Sequence, residues 1–143
     1  MMLSLNRVAS SPRVVLTYGR FDMFHQDHVR FLRQISQMGQ ELIVGCSSDE
    51  HAQSVGMPCH MPFTERRALL ESCRFVSRVI AEKDADQKRT DIVNYNVSAL
   101  AMGDEHEGQL DDLHDIVQVV YLQRAAIKPS LSFNNSLTLA AVR

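Results

Sequence analysis

Cysteine is scarce in this chain: Cys46, Cys59 and Cys73 are the only three. The number is odd and no CxxC pair occurs, which argues against a disulfide framework or a zinc ribbon and for buried thiols in a reducing, cytoplasmic compartment. No run of about 18 apolar residues is present, so no membrane-spanning helix is expected. Neither sign of charge dominates: 15 Lys and Arg stand against 17 Asp and Glu, for a net charge of −2. A chain so balanced has no overall field to draw it onto nucleic acid or an anionic membrane, and any anionic ligand must be held by local groups. Internal repeats, linkers and low-complexity tracts are also missing. Residues 1–11 contain a single Arg and no long apolar core, and predict a flexible leader rather than a signal peptide.

What remains is ordinary globular material. A length of 143 residues suits one domain, predicted over residues 12–143, large enough to bury a core without staples. Arg13–Tyr18 carries a short apolar run of strand type, ended by Gly19. From about Gln26, Val29, Phe31, Leu32, Ile35 and Met38 recur at helical spacing, and Gly39 stands where a C′ glycine would end that helix. Glu41–Cys46 predicts a second strand, residues 51–63 a long loop, and Thr64 an N-cap for a helix over Glu65–Cys73 with Leu69, Leu70 and Cys73 on its apolar face. Further strands are predicted over Phe75–Ile80, Ala99–Met102 and Val117–Leu122, with a helix over Asp86–Tyr95 and a polar loop over Gly103–Gly108. Strands alternating with helices imply an α/β fold: a doubly wound, Rossmann-like, five-stranded and mainly parallel sheet. Ligands of such sheets bind beyond the carboxyl ends of the strands, where the loops after Tyr18, Cys46 and Met102 fall.

The most informative stretch is Gly19-Arg20-Phe21-Asp22-Met23-Phe24-His25-Gln26-Asp27-His28. Gly19 permits close approach of a ligand to the backbone. The helix beginning near His25 offers free N–H groups suited to phosphate. His25 and His28 share one face of its first turn, where two imidazoles can stabilise charge on phosphoryl oxygens. A zinc site needs at least a third ligand, for which Asp22 is the nearest candidate; no other spaced cluster supports it, so no protein-held metal is predicted. Asp22 is read either as a substrate contact or as a helix cap. Arg66, Arg67, Arg74 and Arg78 are read either as ligand contacts or as a solvated face. His51, His60, His106 and His114 read as scattered surface histidines, with His106 in the polar loop after the fourth strand. The Met residues read as core filler.

Gly19-Arg20-Phe21-Asp22 followed by His25-x-x-His28 resembles the G-x-F-D…H-x-G-H signature of the nucleotidyltransferase superfamily. The ordered matches beyond it, at Glu65-Arg66-Arg67, Arg74-Phe75-Val76, Gln87-Lys88-Arg89-Thr90-Asp91-Ile92, Met102-Gly103-Asp104-Glu105-His106-Glu107-Gly108 and Val119-Val120-Tyr121-Leu122-Gln123-Arg124, resemble the cytidylyltransferase-like family and its glycerol-3-phosphate cytidylyltransferases in particular. The resemblance implies transfer of CMP from CTP to a small phosphorylated polyol with release of pyrophosphate, and Mg²⁺ carried by the triphosphate. It implies catalytic roles for His25, His28 and Arg124. It implies nucleotide contacts from Tyr18, Gly19, Arg20, Phe21, His25, His28, Gly103, Glu105, Arg124 and Ser130, and substrate contacts from Asp22, Arg66 and Arg74. It also implies a homodimer, with no nucleic acid polymer and no membrane among its partners.

The pattern is broken at several places. Asp27 replaces the glycine between the histidines, Val55 and Met57 occupy positions of family lysines, and Ala85 replaces a tryptophan. Pro129 removes a backbone donor from the terminal motif, in which only Arg124 matches and Ser130 stands in for a threonine. The alternative reading is therefore a family member that keeps the pocket and binds nucleotide or a phosphorylated ligand with little or no catalysis.

Overall fold

A computed structural model describes residues 12–123 of the chain. The leader 1–11, Arg124, Pro129, Ser130 and the tail 131–143 lie outside the described residues. Five strands, β1 (Val14–Gly19), β2 (Glu41–Ser47), β3 (Arg78–Glu82), β4 (Ala99–Gly103) and β5 (Gln118–Leu122), form one sheet in the order β3-β2-β1-β4-β5. Every pairing is parallel: β1 runs beside β2 from Val14 opposite Glu41 to Gly19 opposite Cys46, and meets β4 on its other side. The chain builds outward from β1 to β3 and then returns across the sheet to β4. The reversal of direction lies between β1 and β4, and all five carboxyl ends share one edge.

Between the strands lie α1 (Gln26–Ser36), α2 (Asp49–Ser54), α3 (Phe63–Ser72) and α4 (Lys88–Asn94), the last preceded by a 3₁₀ turn at Ala85–Gln87. Two apolar clusters sandwich the sheet. Val15, Leu42, Val44 and Val79 pack with Phe31, Leu32 and Ile35 of α1 and Leu70 of α3. Val14, Leu16, Ile43 and Leu100 pack with Ile92 of α4 and with Leu113 and Val117. Strands buried on both faces explain why β1 and β2 read as continuous apolar runs rather than alternating ones.

Local readings shift where tertiary contacts override sequence pattern. The segment read as a loop from residue 51 begins inside α2, whose six residues are capped by the Ser48 hydroxyl accepting the His51 N–H. The α3 helix starts at Phe63, not after Thr64, and Pro62 holds the N-cap position without a side-chain bond. The Phe63 N–H instead donates to the Asp49 carboxylate, a partner 14 residues away that local pattern does not show. On α3 the buried residues are Arg66 and Leu70, whereas Leu69 is 39% exposed. β3 is displaced toward Glu82, because Cys73–Val76 forms a turn.

Gly39 does not end α1 as a left-handed C′ residue; Gln37 is the C-cap, and only Gly56 and Gly108 have positive φ among the described glycines. Gly39 is required for a different reason: a Cβ there would lie 2.5 Å from the Arg13 carbonyl oxygen. That carbonyl accepts the N–H groups of Gln40 and Glu41, which sets the register of β1 and β2. Gly39→Ala is expected to destabilise the protein by about 1–3 kcal/mol, read as a lower urea midpoint with unchanged slope.

Candidate active site

The loop after β1 is strained and cross-tied. Phe21 (φ 50°) and Met23 (φ 51°) both take left-handed backbone conformations, each at a cost of about 1 kcal/mol or more. Phe21 turns its ring beneath Gly19, where a Cβ would stand 2.9 Å from the ring edge. Asp22, between the two strained residues, accepts the backbone N–H groups of His60 at 2.8 Å and Met61 at 3.0 Å. It therefore ties the β1 loop to the α2–α3 loop and does not cap α1. Burial would raise its carboxyl, but these two donors and the His60 ring outweigh burial and bring it down to about 2.

Arg66 reinforces the tie from below. Its side chain is wholly buried. Its Nε donates to the Met61 carbonyl at 2.9 Å, and its Nη1 to the carbonyls of Arg20 at 2.9 Å and Ser47 at 2.8 Å. Its Nη2 meets the Asp49 carboxylate at 2.8 Å. A guanidinium so enclosed is not presented to a substrate, and the substrate contact expected of Arg66 is replaced by a structural one. Cys46 lies against the same guanidinium, yet burial pushes its thiol up to about 11, so it is not a nucleophile near neutrality.

His25 and His28 come together at the start of α1, with ring centroids 4.0 Å apart. The two form a reciprocal cap: the Asp27 N–H donates to His25 Nδ1 and the His25 N–H to His28 Nδ1, each at 3.2 Å. Two of the amides expected to be free for phosphate are thus held by imidazole. In exchange both rings are oriented, and their neutral tautomers carry the proton on Nε2. His28 is further packed by Phe21 edge-on and Phe24 face-on. Asp27 pairs with Arg30 at 3.2 Å. This cation offsets the carboxylate that stands between the two histidines in the sequence.

A cleft of about 580 Å³ opens at the carboxyl edge of the sheet. Tyr18, Gly19, Arg20, Phe21, Asp22 and His28 line its centre, and Gly103, Glu105 and His106 line the β4 side. His25 is not among the lining residues; it stacks on His28 at the rim. Arg74 is not in the cleft either, and its guanidinium lies 5.0 Å from the Phe75 ring. The Tyr18 hydroxyl is committed to Asp91 at 2.7 Å. Burial first, then Asp91, pushes this phenol far above its ordinary range, so it acts as a neutral donor.

Sequence reasoning missed the wall formed by Ser47, His51, Glu82 and Lys88. His51 reaches it because α2 starts directly after β2, and Glu82 because β3 extends to that residue. The Lys88 match to the family pattern was the available signal. Val55 and Met57 also line the mouth, exposed by 53% and 52%, so they are not core filler.

Two stability measurements test these ties. Arg66→Met is expected to cost about 3 kcal/mol or more in chemical denaturation, since it orphans several carbonyls. Asp22→Asn tests the lowered carboxyl. Its folded value, about 2, lies below the ordinary 3.8. The ionised group therefore stabilises the fold above about pH 4, and that contribution is lost as pH falls toward 2. The gap in melting temperature between wild type and Asp22→Asn should be full at neutral pH and close over that window.

Comparison with known proteins meets this geometry. The cytidylyltransferase-like family profile matches residues 16–137. The glycerol-3-phosphate cytidylyltransferase of Bacillus subtilis (strain 168) is 39% identical over 110 residues, covering 77% of this chain and 85% of that protein. The enzyme of the same name from Staphylococcus aureus is also 39% identical over 110 residues, covering 77% and 83%. In fold alone, the crystal structure of the lipopolysaccharide core biosynthesis protein from Thermoplasma volcanium GSS1 superposes with a TM-score of 0.68 at 22% identity, over 79% of this chain and 98% of that one. With the doubly wound parallel sheet and a family match spanning most of its length, the chain belongs to the cytidylyltransferase-like family.

Proposed function

We propose that the protein transfers CMP from CTP to a small phosphorylated polyol, with glycerol 3-phosphate the first candidate, and releases pyrophosphate. The observation that carries this reading is the pair of oriented imidazoles at the helix start, with His28 facing the cleft at the switch in strand order. The similarity to glycerol-3-phosphate cytidylyltransferases supports the choice of substrates. In this reaction an acceptor phosphate oxygen bonds to the α-phosphorus. The bond from that phosphorus to the pyrophosphate oxygen breaks, and its electron pair leaves with pyrophosphate. Such transfers depend on positioning and charge stabilisation, which two Nε2–H donors are suited to supply.

Mg²⁺ enters on the nucleotide. Phosphate oxygens and water, with at most one or two carboxylates, are the ligands such an ion takes at a nucleotide site. Gly103 and Glu105 are assigned to the nucleoside side of the cleft, and Arg124 and Ser130 to the phosphates. A homodimer in the cytoplasm completes the reading; no described helix is long and apolar enough to cross a membrane.

A second reading, ligand binding with little turnover, is favoured by the uncharged Val55 and Met57 at the mouth. The two separate in one assay. Purified protein with CTP, Mg²⁺ and glycerol 3-phosphate should release pyrophosphate, and the double substitution His25→Ala, His28→Ala should lower kcat/KM by about a hundredfold or more. Calorimetric CTP binding without pyrophosphate release, across several phosphorylated acceptors, supports the second reading and overturns the first. Greater thermal stabilisation by ATP than by CTP would reassign the nucleotide.

A further inference from the structure

A second cluster of charge lines the cleft at the ends of β2 and β3, on the opposite side of β1 from Gly103 and Glu105. Glu82, the last residue of β3, is 6% exposed. Its Oε1 accepts the Ser47 hydroxyl at 3.0 Å and its Oε2 the Lys88 ammonium at 3.1 Å. The Nε2 of His51 stands 3.7 Å from the same Oε2, beyond hydrogen-bond reach. We propose that His51, Glu82 and Lys88 form the acceptor subsite and select a phosphomonoester that also carries a free hydroxyl. The inference rests on the transfer reaction proposed above and states where its second substrate sits.

The chemistry of the three side chains supports the assignment. A buried ion pair is seldom the most stable filling for its volume, so a carboxylate kept at a cleft wall calls for a ligand to explain it. Glu82 has about four acceptor positions and its two bonded neighbours use two, leaving capacity for hydroxyl donors. Lys88 has three N–H donors, of which one is spent on Glu82. Its ammonium also lies 4.7 Å from the Tyr18 ring, which holds it against the cleft. The His51 ring makes no hydrogen bond shorter than its contact with Glu82 among the described residues. Its side chain is nonetheless 11% exposed, so it is packed in place with an N–H to offer. Two donors flanking one carboxylate match a ligand with phosphate oxygens at one end and a hydroxyl at the other. The subsite also compensates for the uncharged mouth, where Val55 and Met57 offer a phosphate nothing.

Position supports it equally. The β1 loop with His28 lies between the β4 side, assigned to the nucleoside, and the β2–β3 side. Two ligands entering from opposite sides meet over the imidazoles. In-line displacement then requires the pyrophosphate oxygen, rather than the nucleoside, to lie opposite the incoming acceptor oxygen at the α-phosphorus.

The test is equilibrium binding measured by calorimetry, with glycerol 3-phosphate, glycerol and inorganic phosphate as separate probes, alongside steady-state kinetics. The proteins are wild type, His51→Phe and Glu82→Gln. Each substitution keeps side-chain volume and removes respectively the ring donor and the carboxylate charge, and unchanged CTP affinity verifies that the cleft is intact. Both variants should weaken glycerol 3-phosphate binding, and raise its KM, about tenfold or more, with the KM for CTP within about twofold of wild type. Variants that keep wild-type affinity for glycerol 3-phosphate overturn the subsite, as does a wild type that does not bind it. Equal affinity for inorganic phosphate and glycerol 3-phosphate overturns the assignment of Glu82 to the hydroxyl. If wild type binds glycerol 3-phosphate through these residues yet releases no pyrophosphate, the transfer reading fails and the subsite stands.

Discussion

The buried guanidinium of Arg66 is the constraint on which the cleft depends. One planar cation with no exposed surface collects the carbonyls of Arg20, Ser47 and Met61 and the carboxylate of Asp49. Those four groups come from the β1 loop, the end of β2, the α2–α3 loop and the start of α2. In a parallel sheet the carboxyl strand ends leave backbone carbonyls without ladder partners, and an unpaired buried carbonyl costs free energy. A fork of five donors satisfies several at once and holds the loops in fixed relation, which a lysine ammonium of three donors does less well.

From that tie the rest of the site follows. Asp22 links the β1 loop to His60 and Met61 from the other side, so strained φ values at Phe21 and Met23 persist between two anchors. The loop then delivers the chain to α1 at the angle that lets His25 and His28 cap one another. The helix start and the packed Phe21 and Phe24 rings together orient the imidazole pair at the sheet edge. Electrostatic compensation is local throughout: Asp27 with Arg30, Lys88 with Glu82, Arg89 with Asp115. In a chain with a net charge of only −2, charge is balanced pair by pair rather than by an overall field.

Much of the site was legible beforehand because it is compact in sequence. Residues 18–28 carry strand end, turn and helix start in eleven consecutive positions, and local chemistry suffices to bring Tyr18, Gly19, Asp22 and His28 to one edge. The β4 loop was legible for the same reason. Arg66, Arg74 and His51 were not. An arginine on a charged helix reads as solvated, and only packing distinguishes Arg66, enclosed under three loops, from Arg67, which is exposed and pairs with Glu71 on its own helix. His51 reads as a surface residue because α2 is six residues long, too short to show a helical period.

The sequence by itself determined the class of fold, the order of the five strands and the position of the glycine turn before α1 at the carboxyl edge of the sheet. Each of these is written in short-range patterns: apolar runs for strands buried on two faces, a 3.6-residue period for α1, and a glycine before a polar helix start. Tertiary structure alone decided the start of α3, the need for Gly39 and the assembly of Ser47, His51, Glu82 and Lys88 into one wall. These depend on partners 14 to 35 residues apart, or on a carbonyl that a missing Cβ clears. Contacts of that range are set when a parallel sheet closes, and no local preference encodes them.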